Sequence, residues 1–213
     1  MTRLLDFVGA NGHGVTTLTR MSFFEPVPPP EPPPERRWSP PLWDRASEGT
    51  LPHVVAINEL VHAGPDAAVA LESVSAYPNG FVLNFFSLAD PRGMDGGGGM
   101  STFIGRLGRP DLMAGMPRVG VRFADGRTGG REAFGAEVAK DADGIPTQPI
   151  VHMAGGGGGG RGFNYSVWVF PLPPDGPVEV FVSVPALDLD EVRTVIDGTA
   201  IRRAGSRARM IWT

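Results

Sequence analysis

Two runs of apolar residues at every second position constrain this chain most. Phe163, Tyr165, Val167 and Val169 form the first, and Val178, Val180, Val182 and Val184 the second. Side chains two residues apart share one face of a β-strand, so each run predicts a strand with one buried face. Between them lies Pro171-Leu-Pro-Pro-Asp-Gly-Pro177. Its prolines remove backbone donors and Asp-Gly turns the chain, so the segment is a connection, and the two runs read as a hairpin.

The same pattern recurs upstream. Val54 to Val61 reads as a strand, and Gly64-Pro-Asp66 turns it. Ala67 to Tyr77 follows, with Val69 and Leu71 in one phase and Val74 and Ala76 in the other. A slip of one residue predicts a bulge near Ser73. Pro78-Asn-Gly80 is a hairpin signal that leads into Phe81 to Leu88. That strand is apolar on both faces, through Phe81, Leu83 and Phe85 and through Val82, Phe86 and Leu88, which predicts a central position. Arg118 to Ala124 alternates, with Val119, Val121 and Phe123 inward. Ile150 to Met153 and Val192 to Ile196 are shorter strands, and Arg131 to Lys140 is ambiguous. The six glycines Gly155 to Gly160 read as a mobile loop.

Near the C-terminus the period changes. Asp197 is placed to cap a helix over 198–211 with a stripe of Ile201, Ala204, Ala208 and Ile211. Gly205 weakens that helix. Many short strands, frequent turn signals and one helix predict a mainly β fold: an antiparallel two-sheet β-sandwich, immunoglobulin-like in general form, with a short C-terminal helix.

Residues 1–50 differ in kind. Pro26-Val-Pro-Pro-Pro-Glu-Pro-Pro-Pro34 must be extended or polyproline II. The expected organisation is therefore a leader and proline-rich arm over 1–50, extended or partly disordered, and one sandwich domain over 51–213. Residues 1–20 are patterned so weakly that the start of the native protein is itself in question. Trp38 and Trp43 follow the prolines, and such segments dock on aromatic grooves. They are the possible partner contacts, although packing on the domain's own sheet explains them as well.

Composition narrows the function classes. The 213 residues are enough for one ordinary domain, burying roughly 70% of its unfolded surface. There is no cysteine, which removes disulfides, thiolate metal sites and cysteine nucleophiles. A net charge of −4 argues against nucleic-acid binding. No apolar run is long enough for a membrane helix, and Met1 to Val8 lacks the pattern of a secretion signal, so the expectation is cytoplasmic, with no membrane partner. Lys140 is the only lysine among 19 basic residues, which fits a GC-rich genome.

The segment Trp168-Val-Phe-Pro-Leu-Pro-Pro-Asp-Gly-Pro177, with Val184-Pro-Ala and Asp190-Glu-Val-Arg further on, resembles a group of actinobacterial β-sandwich proteins. They share a proline-rich N-terminal arm, an aromatic-Pro-Leu-Pro-Pro-Gly-Pro hairpin and an Ala/Arg-rich C-terminal helix. The likeness covers residues 26–213, with Val184 where an aromatic residue is usual. It implies fold and source and no known activity.

No chemical motif stands out. The glycine runs lack the Gly-Lys-Ser/Thr that a phosphate loop needs. Asp141-Ala-Asp-Gly144 has the start of a calcium loop, but His152 stands at the twelfth position, where an EF-hand needs Glu. Asp90 and Asp95 could join those aspartates only if loops converge, and turn chemistry explains them all. His13, His53, His62 and His152 show no metal-binding spacing. There is no Gly-x-Ser-x-Gly; Ser73, Ser75 and Ser87 sit in strands. Glu59 and Glu72 could pair across strands as catalytic carboxylates or simply lie on a solvated face. The reading is a non-catalytic binding or protein-interaction module without cofactor or metal, its partner an unknown protein or a second copy. The alternatives are a hydrolase-type enzyme with an unreadable His/Asp site, and a structural subunit of a larger assembly.

Overall fold

The computed structural model describes residues 41–65, 67–89, 117–130, 139–159, 162–185 and 189–212. The chain divides into two units, Met1–Trp38 and Ser39–Thr213, and every described residue lies in the second. The expectations for 1–40, Asp90, Asp95 and most of 131–140 fall outside the described residues, and Trp38 with them.

The strands are β1 (Thr50–Leu51), β2 (His53–Ala63), β3 (Ala67–Tyr77), β4 (Gly80–Ala89), β5 (Arg118–Phe123) and β6 (Thr128–Gly130). Then follow β7 (Ile150–Gly159), β8 (Gly162–Phe170), β9 (Pro177–Val184), β10 (Leu189–Asp197), the helix α1 (Gly198–Gly205) and β11 (Arg209–Met210). A five-stranded sheet has the order β2-β3-β4-β8-β7 and a four-stranded sheet the order β10-β9-β5-β6. All pairs are antiparallel. The fold is mainly β, with two antiparallel sheets face to face and one short helix near the C-terminus.

The alternating residues meet in one core. Leu71, Val74, Phe81, Leu83, Phe85, Tyr165, Val167 and Val169 from the larger sheet pack with Val119, Val121, Phe123 and all four valines of β9. Phe81 touches Phe123 across the layers, their ring centroids 6.4 Å apart. Removing this apolar surface from water is the main stabilising term. The phase slip in β3 is real: the register with β4 shifts between Leu71 and Ser73, which keeps Val69, Leu71, Val74 and Ala76 all inside. The Pro78–Asn79 turn joins Tyr77 to Gly80 as a two-residue hairpin, and β4 is the middle strand of its sheet. Gly80 is demanded by close approach, since a Cβ there would lie 2.5 Å from the Val169 carbonyl oxygen.

Three expectations are corrected. The Pro171–Pro177 segment does not close a hairpin. Both edges of β8 are occupied, by β4 and β7, so the chain crosses to the other layer and β9 pairs with β5 and β10. The glycine run is not a loop: Gly155–Gly159 complete β7, in register with Gly162–Ser166 of β8. Glycine still offers N–H and C=O, and an existing strand template satisfies them. The helix does not reach residue 211. Asp197 caps it, accepting from the Ala200 N–H, but it stops at Gly205, whose Cα fits against Leu172 and the Tyr77 carbonyl. Beyond it, Arg209–Met210 pair with Thr50–Leu51, and Ile211 is exposed rather than on a buried stripe. The last residues of the arm, 42–50, are hydrogen-bonded to the sandwich.

Candidate binding face and the docked arm

The arm's described end is held by side chains of the larger sheet. The Trp168 indole N–H donates to the Trp43 carbonyl at 2.9 Å. His152 Nε2 lies 2.7 Å from the Asp44 carbonyl. Asn79, in the hairpin turn, donates to the carbonyls of Leu42 and Arg45 at 2.6 and 2.7 Å and accepts from the Ser47 N–H and hydroxyl. The half-buried Trp43 ring lies under the Lys140 ammonium, 4.8 Å from its centroid, within cation–π range. Trp43 therefore ties the arm to its own domain. This cover explains why Trp168, on the outward face of β8, is as buried as the core.

Among the described residues, the chemistry-bearing side chains are not gathered into a centre. His53 and His62 sit on β2, one edge of the larger sheet, and His152 on β7, the opposite edge. Asp141 Oδ1 accepts from the backbone N–H groups of Asp143 and Ile145, which is turn chemistry. Glu59 and Glu72 are both exposed, on β2 and β3. Ser73 and Ser75 belong to a polar ladder: Asn84 donates to both hydroxyls and accepts from Ser166.

The more distinctive surface is the outer face of the four-stranded sheet, which sequence reasoning did not single out. Register places Gly130, Gly120, Phe181 and Arg193 in one row across β6, β5, β9 and β10. The next row holds Thr128, Arg122, Glu179 and Val195. Glu179 is clasped by two guanidinium groups, Arg122 and Arg193, the latter at 2.9 Å. Arg122 also lies over the Phe181 ring, 5.5 Å from its centroid. Two adjacent glycines remove every side chain from one end of the first row. The result is an open trench of about 540 Å³, with Arg118, Ser183 and Glu191 at its far end. Arg118 makes no ion pair among the described residues. Its outward position was legible as alternation in β5; the glycine floor was not, because Gly120 and Gly130 become neighbours only through β-pairing.

Compared with known proteins, the chain matches no family model, no curated protein and no solved structure. Among the described residues, no helix is long and apolar enough to cross a membrane.

Proposed function

We propose that this chain is a non-catalytic binding or interaction module that uses the outer face of its four-stranded sheet. The carrying observation is the Gly120–Gly130 floor beside Phe181, rimmed by guanidinium and carboxylate groups on a rigid sheet. Binding sites join an apolar or aromatic surface to a few placed polar groups. The separation of His152 from His53 and His62 supports the non-catalytic side of the reading. A cytoplasmic setting and the kinship with the actinobacterial group belong to the same proposal.

Gly130 supplies the test. A Cβ there would meet nothing within 4 Å, and its φ is not in the left-handed region. Gly130→Leu should fold normally and fill the trench. Thermal-shift screening against varied small ligands and peptides should find compounds that stabilise the wild type and not this variant. Turnover of ester, phosphoester or glycoside substrates that is lost in His152→Ala would overturn the reading.

A second reading, a subunit that assembles with its own copies, is favoured by β7. Its Gly155–Gly159 half is a sheet edge without charge or proline, and natural edges usually carry such protection against pairing. A mass that rises with concentration in light scattering, and falls back when Gly157→Lys is introduced, would establish it.

A further inference from the structure

We infer that the ligand of the trench is a short acidic saccharide, an oligosaccharide carrying a uronate-type carboxylate; this rests on the proposed binding role of the same face. From Gly130 on β6 across Gly120 to Phe181 on β9 is two strand spacings, about 9–10 Å, the breadth of a sugar ring with its hydroxyls. The floor is flat backbone without side chains: Gly120 lies between β6 and β9, and Gly130, on the edge strand β6, has one side without a strand neighbour among the described residues. Selectivity must come from the rim.

The rim offers an aromatic ring, Phe181, on which the C–H face of a sugar can rest. It offers hydroxyl groups from Thr128 and Ser183, and both donors and acceptors from Arg118, Arg122 and Glu191. A wholly apolar ligand would strip water from these charges without replacing it, which is unfavourable. A densely charged ligand, such as a nucleoside triphosphate or a nucleic acid, would face Glu179 and Glu191, and among the described residues no helix N-terminus lines the trench to hold phosphate. Three guanidinium groups (Arg118, Arg122, Arg193) against two carboxylates (Glu179, Glu191) leave one positive charge. Glu179 is already ion-paired with Arg122 and Arg193, so among the described residues of the trench Arg118 is the guanidinium left to a ligand carboxylate, and arginine pairs with carboxylate in bidentate fashion. A monoanionic polyhydroxylated ligand meets all these conditions.

The experiment is a titration of the full chain, followed by amide NMR, with trigalacturonate, triguluronate and a hyaluronan fragment. Saturable shifts centred on Gly120, Gly130 and Phe181 are expected with at least one. Methyl-esterification of that saccharide, or Arg118→Ala, should weaken binding about tenfold, the effect of losing a charge-assisted contact. Gly130→Leu should abolish it. No saturable shift from any of the three overturns the saccharide assignment, as does binding indifferent to Arg118 and to esterification. If a peptide or protein then binds wild type and not Gly130→Leu, the binding role stands and only the ligand class falls. If no compound distinguishes Gly130→Leu from wild type, both fall.

Discussion

Asn79 illustrates how much one side chain decides. It occupies the turn of the β3–β4 hairpin, where its type was legible as turn chemistry, and from there it makes four hydrogen bonds to residues 42–47. Nothing local in the sequence links position 79 to position 42. Asn79→Ala should keep the hairpin and release the arm, at a cost of about 2 kcal/mol in urea unfolding, with faster proteolysis within 42–47. The two tyrosines make a different kind of statement. Burial pushes the Tyr165 phenol far above its usual range, against a small opposing effect of the Ser87 hydroxyl, and burial raises Tyr77 as well. An unfolded chain releases these protons near pH ~10 while the folded one retains them. The tyrosine contribution is thus intact below that pH and lost above it, at up to about 1.4 kcal/mol per pH unit for the buried Tyr165, with Tyr77 adding less because solvent reaches it. Urea midpoints should fall on the alkaline side. Tyr165→Phe, which keeps the ring stacked 4.8 Å from Phe85, should flatten that fall.

Strand β7 is the element that sequence reasoning misjudged most. Six glycines carry no period, and their high conformational entropy predicts a loop. What overrides this is partnership: β8 presents a row of backbone groups, and pairing to it needs no side chain. The same strand gives a graded prediction. A Cβ at Gly155 or Gly157 meets open space, whereas at Gly156 it comes within 3.1 Å of the Phe163 ring and 3.2 Å of the Asn164 carbonyl. Gly157→Thr should stabilise the protein by about 0.5–1 kcal/mol through lower backbone entropy and higher strand propensity. Gly156→Thr should fail to stabilise it, and thermal melts of the pair will separate the two. The C-terminal helix shows the reverse error. The stripe of Ile201 and Ala204 was legible and both are buried, but periodicity could not say that Gly205 must lie against Tyr77 and Leu172. Nor could it say that two residues beyond would find a strand partner at Thr50–Leu51.

At the scale of the whole molecule, alternation was enough to foresee two layers, because Val178 to Val184 and Phe81 to Phe85 can only be buried against something equally apolar. Alternation is silent on which strand neighbours which, and so the β8–β9 crossing and the glycine-floored row were invisible: both arise from pairings far apart in the chain. The face-to-face packing is open to a double-mutant cycle. Phe81→Leu and Phe123→Leu sit in different sheets, and their combined cost should depart from additivity by about 0.5–1.5 kcal/mol in urea denaturation, the scale of an aromatic pair. The short ribbon of β1 and β11 has a mechanical meaning. Thr50 lies opposite Met210, and the Ile211 N–H donates to the Gly49 carbonyl at 2.7 Å, so the polypeptide enters and leaves the sandwich at one corner. A force that draws those two points apart loads the ribbon's bonds one after another, like a zipper. Under tension the corner would peel open first and lengthen the tether, while the valine-lined layers stayed shut.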